Sequence, residues 1–318
     1  MPDSGIALQI GFLTVRWYSV LIVSGMVLAV LLSAWAAKKR GLSVDELLNM
    51  VLLIIPCGII GARLYYVVLM WDALYVHNPV VAFQIWRGGL AIHGGIIGGI
   101  VALLIYCRVR RQPFFAWADI LIPGVVLAQA IGRWGNFFNQ EAYGYITDLP
   151  WAMYIDGALR HPTFLYESLW NFSCFFLLIL LAFRWKSRKD GNLLAFYFIY
   201  YSIGRFIVEC FRTDSLMLGG EKAVSMALIV KDAIAKGDIT LLWAQGIPAA
   251  LVISLIGIAL GAAILLWNKK HGHAAVPLKR ERALPRAQSN VKKAAANGKK
   301  SGSQKNAARK NGKKKKKH

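Results

Sequence analysis

The sequence predicts an all-α polytopic membrane protein with about seven transmembrane helices, N-terminus out, C-terminus in, and small external elements. Three observations predict it. Of the 318 residues, 57% are apolar and mean hydropathy is +0.47, too hydrophobic for a soluble two-domain protein. Runs of about 20 apolar residues recur, each long enough to cross a hydrocarbon core of roughly 30 Å. Basic residues follow alternate runs, which is the pattern that fixes orientation in a bilayer.

The runs give seven spans: Leu13–Ala37, Leu47–Met70, Leu90–Cys107, Ala116–Phe138, Thr163–Arg184, Asn192–Phe211 and Gly246–Trp267. The first has no basic segment ahead of it and ends at Lys38-Lys39-Arg40, a stop-transfer flank rather than a cleaved signal. Arg108, Arg110 and Arg111 follow the third span, and Arg184, Lys186, Arg188 and Lys189 follow the fifth. The alternate segments 71–89, 139–162 and 212–245 carry less excess positive charge and are assigned outside. Within the last, Met226, Ile229, Val230, Ala233 and Ile234 have helical spacing, so Val224–Ala235 is expected to form a small amphipathic element.

Residues 1–267 are therefore expected to form a transmembrane domain, and residues 268–318 a disordered polybasic cytoplasmic tail. That tail holds 18 Lys+Arg against Glu281 alone, while the body holds 20 Lys+Arg and 15 Asp+Glu. The net charge of +22 thus describes the tail more than the fold. A cytoplasmic polybasic segment is drawn to an anionic lipid surface; no specific nucleic acid is expected. Cys57, Cys107, Cys174 and Cys210 lie in or beside apolar runs without CxxC spacing, which suits packing rather than disulfides or metal.

Charged and polar residues interrupt the spans in four places. The second carries Arg63 and the third opens R-G-G-L-A-I-H-G-G-I-I-G-G with His93. The fourth ends G-R-W-G-N-F-F-N-Q-E-A-Y-G from Gly132 to Gly144, and the sixth carries Tyr201, Arg205, Glu209 and Arg212 along one helix face. An ionised side chain in mid-membrane costs roughly 2.5–3.5 kcal/mol on insertion scales, so such residues normally serve a ligand, an ion or each other. Arg63, Arg133, Arg205 and Arg212 outnumber Glu141, Glu167 and Glu209. A surplus of guanidinium near the outer headgroup level suits a phosphate, which it binds bidentately. Local pairing of Glu209 with Arg205 or Arg212 is also available. Gly94, Gly95, Gly98 and Gly99 form overlapping G-x-x-x-G pairs for tight helix packing. Gly132, Gly135 and Gly144 are expected to loosen the backbone at the end of the fourth span. His93, with an ordinary pKa of about 6.5, is suited to take a proton from a thiol; no second ligand beside it suggests a metal, and no cofactor is implied.

The Gly132–Gly144 stretch closely resembles the hallmark of the bacterial prolipoprotein diacylglyceryl transferases. Trp17-Tyr18, G-G-L-A-I-H-G-G around His93, H-P-T-F-L-Y-E from His161 to Glu167, and Y-S-I-G-R-F-I-V-E-C-F-R from Tyr201 to Arg212 look like the same family in the same order. The resemblance covers about residues 5–267. It implies a multi-pass enzyme of the bacterial plasma membrane that transfers the diacylglyceryl group of phosphatidylglycerol. The acceptor is the lipobox cysteine in the signal peptide of a preprolipoprotein; a thioether forms and glycerol 1-phosphate leaves. It further implies His93 as base for the thiol and Arg133 and Arg205 as the essential arginines. Tyr18, Asn136, Glu141, Gly144, Tyr201 and Glu209 match other implicated positions. Gln140 stands where some members have glycine, Tyr145 where some have arginine, and the lysine-rich tail has no counterpart. The nucleophile would belong to the substrate, consistent with the absence of a catalytic-looking cysteine. The rival reading is a secondary transporter of an anionic or phosphorylated solute, which would show an internal repeat between halves; none is visible. A phosphatidyltransferase would need aspartates clustered on neighbouring helical turns, which the spans lack.

Overall fold

A computed structural model of the chain describes residues 5–10, 13–185, 187–213, 217–218 and 247–275. The chain divides into units Met1–Leu278 and Lys279–His318, the second lying outside the described residues. Among its described residues the first holds seven long helices: α1 (Trp17–Arg40), α2 (Val44–Leu69), α3 (Ile92–Val109), α4 (Phe114–Phe138), α5 (Thr163–Arg184), α6 (Asn192–Glu209) and α7 (Ala249–His271). Six of them are long and apolar enough to cross a membrane; α6, rich in tyrosine and carrying Arg205 and Glu209, is not among them. The chain is an all-α multi-pass membrane protein.

Helix ends follow ordinary rules. The Ser43 hydroxyl caps α2 by accepting the Glu46 N–H at 3.3 Å, with Asp45 and Glu46 in the first turn. Gly41, at φ 75°, closes α1 in the left-handed conformation that glycine tolerates. The first span was expected to begin at Leu13, but Leu13–Arg16 is a strand, β2, paired antiparallel with β1 (Ile6–Ile10). Its alternating apolar residues read as a helix extension when no partner strand is in view. A second hairpin, β3 (Met153–Ile155) with β4 (Ala158–Arg160), turns at Asp156-Gly157, both at positive φ (48° and 78°), as a two-residue hairpin turn demands.

The helices pack through small residues, the rule in lipid, where side-chain burial gives no hydrophobic gain. A Cβ on Gly94 would overlap the Gly61 carbonyl, and one on Gly98 the Cys57 carbonyl, so α2 and α3 meet backbone to backbone. Gly25 rests on Ala128 and Gly124 on Ala29 between α1 and α4; Gly257 and Gly261 rest on Ser202 and Ala195 between α6 and α7. The apolar core sits toward the C-terminal ends of α1, α3 and α5, around Ala37, Leu47, Met50, Trp117, Cys174, Leu178 and Leu193.

That same end is tied by charge. Arg40 pairs with Asp190 at 2.9 Å and Arg188 with Asp119 at 3.0 Å, while the other Asp119 oxygen accepts the Leu194 N–H. Burial holds Arg188 below the usual guanidinium pKa. The Asn268 carboxamide donates to the Asp190 carbonyl and to Asn192, and the Ala275 N–H to the Arg188 carbonyl. The fold therefore continues eight residues past Trp267, the boundary expected from sequence, because polar atoms of 268–275 bond the loop after α5. The rest of the tail, and Val224–Ala235, lie outside the described residues.

Candidate active site

The helices alternate in direction, so the N-terminal ends of α1 and α5 meet the C-terminal ends of α4 and α6. Arg133 lies near the end of α4, Glu167 in the first turns of α5, and Arg205 and Glu209 near the end of α6. Sequence alone did not say which acid would hold Arg133; the structure brings it to Glu167, which is 5% exposed. The other Glu167 oxygen, Oε1, accepts from Arg205 at 2.8 Å and lies 3.7 Å from Arg212. One carboxylate thus collects three guanidinium groups from α4, α6 and the residues after α6. Arg205 also reaches Glu209 Oε2 at 2.6 Å, the i,i+4 pair expected along that face, although the contact is poorly aligned as a hydrogen bond.

Glu167 stood among the acids of the sequence but was not singled out as a site residue. Its role comes from a helix crossing that no local spacing reveals. Around it, packing fixes α4 to α5 and α5 to α6. Trp134 donates to Ser168 at 3.1 Å and Ser168 to the Ala130 carbonyl at 2.8 Å; Trp170 lies over Gly204 and donates to the Tyr200 carbonyl at 2.9 Å.

Arg133 spends one Nη on Glu167 and has no other partner among the described residues, with its side chain 21% exposed. Arg205 spends both Nη groups, leaving Nε. A guanidinium carries five donors, so these groups are anchored yet keep N–H groups for an anion.

Tyr18 packs on the same helix end. A Cβ on Gly135 would fall 2.5 Å from its ring, and its phenol feels both Glu141 and Arg133. Glu141 accepts from Asn136 at 2.9 Å and Asn139 at 3.1 Å. Tyr201 stacks on Tyr197 with centroids 5.4 Å apart.

The expected loosening by glycine is corrected here. The α4 helix runs unbroken through Gly132 and Gly135 to Phe138, because Gly135 makes room for Tyr18 rather than for a bend. Gly144 is buried where a Cβ would meet His161 Cβ at 2.6 Å and the Phe211 carbonyl at 2.9 Å, so it too serves close packing. Its N–H donates to the His161 carbonyl, and Tyr145 N–H to that of Phe211, tying the motif to the end of α6. The irregular backbone lies at Gln140 and Ala142, at φ 52° and 58°. Gln140, where some relatives of the resemblance have glycine, offsets that strain by accepting the Asp156 N–H at 2.8 Å and donating to the Phe137 carbonyl. His161 is buried against Tyr145 and Phe211 with Nδ1 3.1 Å from the Tyr166 hydroxyl, and burial pushes its pKa below the imidazole norm.

Two expected members stand apart. His93, in the first turn of α3, is exposed and meets the Tyr65 ring at 6.0 Å; no contact among the described residues joins it to the Arg133 group. Arg63 does not add to a phosphate-facing surplus. Its guanidinium donates to the carbonyls of Val81, Ala82, Gly88 and Gly89 at 2.6–3.0 Å, and lies 5.6 Å from the Tyr75 ring centre. Those partners are backbone atoms of the short helical turns and loop between α2 and α3, invisible in sequence. No group of three or more His, Cys, Asp or Glu suited to a metal occurs among the described residues.

A family model described as prolipoprotein diacylglyceryl transferase matches residues 5–267. The chain is 43% identical over 254 residues to the phosphatidylglycerol–prolipoprotein diacylglyceryl transferase of Thermosynechococcus vestitus, covering 77% of this chain and 94% of that protein. It is 49% identical over 205 residues to the protein of the same name from Clostridioides difficile, covering 64% and 82%. The Streptococcus agalactiae counterpart is 46% identical over 223 residues, covering 68% and 86%.

Proposed function

The chain belongs to the prolipoprotein diacylglyceryl transferase family, and from this we propose how its residues perform the transfer. It is a membrane transferase of the diacylglyceryl step in lipoprotein maturation. The donor is phosphatidylglycerol and the acceptor is the lipobox cysteine in the signal peptide of a prolipoprotein. The thiolate sulfur attacks the glyceryl carbon bonded to the phosphate oxygen. As the S–C bond forms, the C–O bond breaks and its electron pair leaves on glycerol 1-phosphate; the thiol proton passes to a base.

The observation that carries this reading is the pair Arg133 and Arg205, both anchored on Glu167 with donors to spare. Negative charge builds on the departing phosphate ester. Fixed donors in a water-poor site stabilise it without reorganising. Asn136, Glu141, Tyr18 and Gly144 would hold the end of α4 and its loop against the headgroup, and Tyr201 and Glu209 the facing side on α6. His93 is assigned the base, acting on a thiol that arrives along α3.

Orientation follows from the basic loops: N-terminus out, C-terminus in, α6 completing seven spans, and the arginine group at the outer headgroup level of the bacterial plasma membrane. The polybasic tail then faces the anionic lipid of the inner leaflet.

The test is purified protein in phosphatidylglycerol micelles with a lipobox peptide, reading peptide mass and released glycerol phosphate. The wild type gains the diacylglyceryl mass, and Arg133→Ala and Arg205→Ala lose at least a hundredfold in rate. No mass gain in the wild type would overturn the assignment. Near-normal turnover of His93→Gln would remove His93 from the base role.

A further inference from the structure

Beneath the charged group lies a second tier of neutral polar side chains. Gln129 precedes Arg133 by four residues on α4, Tyr201 precedes Arg205 by four on α6, and Asn171 follows Glu167 by four on α5. Because α5 runs opposite to α4 and α6, all three offsets lead the same way: one helical turn, about 6 Å, further into the bundle. Residues four apart share a helix face, so each neutral group underlies its charged neighbour.

Two members of the tier are both engaged with Tyr197. Gln129 Nε2 lies 2.9 Å from the Tyr197 hydroxyl, and Tyr201 stacks on Tyr197. Asn171 is different. It is 2% exposed, yet its Nδ2 has no hydrogen-bond partner among the described residues. Unlike a surface amide, this donor sits in a membrane span, where no bulk water can serve it. A buried unpaired donor is costly, and the charged tier above gives it no acceptor.

We propose that Asn171 donates a hydrogen bond to an ester carbonyl of the bound lipid, so that this tier selects ester-linked diacylglyceryl donors. The inference rests on the transferase reading above. With the phosphate at Arg133 and Arg205, the ester groups of the same lipid lie one glycerol unit deeper, toward the acyl chains. They are neutral acceptors with no donor of their own, the complement of an unpaired carboxamide N–H. An ether-linked lipid of the same shape lacks the carbonyl and leaves Asn171 unpaired, the arrangement that gives strong discrimination in buried polar sites.

The experiment compares ester-linked and ether-linked phosphatidylglycerol of equal chain length, using the full chain and a lipobox peptide. Asn171→Leu keeps the volume and removes the donor. The wild type prefers the ester lipid about tenfold in kcat/KM, the scale of one neutral hydrogen bond. In Asn171→Leu that ratio falls to within about twofold of unity, through loss on the ester lipid alone. A wild-type ratio near one overturns the inference whether or not the variant folds. So does a variant that loses equally on both lipids, which marks Asn171 as packing or as the partner of a buried water. A wild-type chain that modifies the peptide from neither lipid overturns the transfer reading itself, and this inference with it.

Discussion

At the scale of single residues, Glu167 governs the site. Removing one partner of a buried ion pair costs about 3–5 kcal/mol, because the charge left behind stays desolvated. Glu167 holds Arg133 and Arg205 together, so Glu167→Gln releases Arg133 and leaves Arg205 on Glu209 alone. The expected outcome is a lower unfolding midpoint in detergent and a rate loss of more than about tenfold, with Glu167→Asp recovering part of each. Wild-type rate in Glu167→Gln would show that the arginines orient themselves. His161 makes a pH prediction. Burial lowers its folded pKa, so below its unfolded value of about 6.5 the unfolded chain binds a proton that the folded chain resists. Its contribution is complete above that value and is lost as pH falls through the folded pKa, by at most about 1.4 kcal/mol per pH unit. Denaturation midpoints from pH 7 down to 5 should fall less steeply in His161→Gln. The sequence displayed every one of these residues. It concealed which of them meet, since Glu167 and Arg133 are joined by a helix crossing, and Arg63 is satisfied by carbonyls that have no letter of their own.

At the scale of elements, the seven helices were legible to within a few residues, because apolar run length and basic flanks are direct consequences of the bilayer. The connections between them were not. Leu13–Arg16 became a strand by pairing with Ile6–Ile10, and α4 stayed continuous where glycine suggested a break. Two predictions belong here. Ala142 sits at φ 58°, where an L side chain is strained, so Ala142→Gly should raise the unfolding midpoint by the equivalent of about 0.5–1 kcal/mol, measured by thermal unfolding in detergent. Arg63 gives α2 its hold on the segment between Val81 and Gly89 through four strong carbonyl bonds. Arg63→Lys cannot reproduce that planar fork. Faster proteolysis within residues 71–91 is expected in Arg63→Lys, with the rest of the chain unaffected; unchanged cleavage would show that the segment holds itself.

At the scale of the whole molecule, charge is concentrated at both ends of the bundle with small-residue packing between. The end near Arg188 is closed by ion pairs and by the docking of residues 268–275 on the loop after α5. A chain truncated after Ala275 should keep wild-type unfolding and transfer activity, while one truncated after Trp267 should lose several degrees of midpoint, since Asn268 and Ala275 supply bonds that nothing else replaces. Equal midpoints for the two truncations would refute this docking role. At the opposite end the Glu167 group has a consequence for how the protein waits between turnovers. Its arginines carry their own counter-ion. An empty site of bare guanidinium would draw in any passing phosphate and would be costly to hold in a membrane. With Glu167 and Glu209 in place part of the resting charge is already met, and an arriving lipid finds donors whose positions were set when the chain folded.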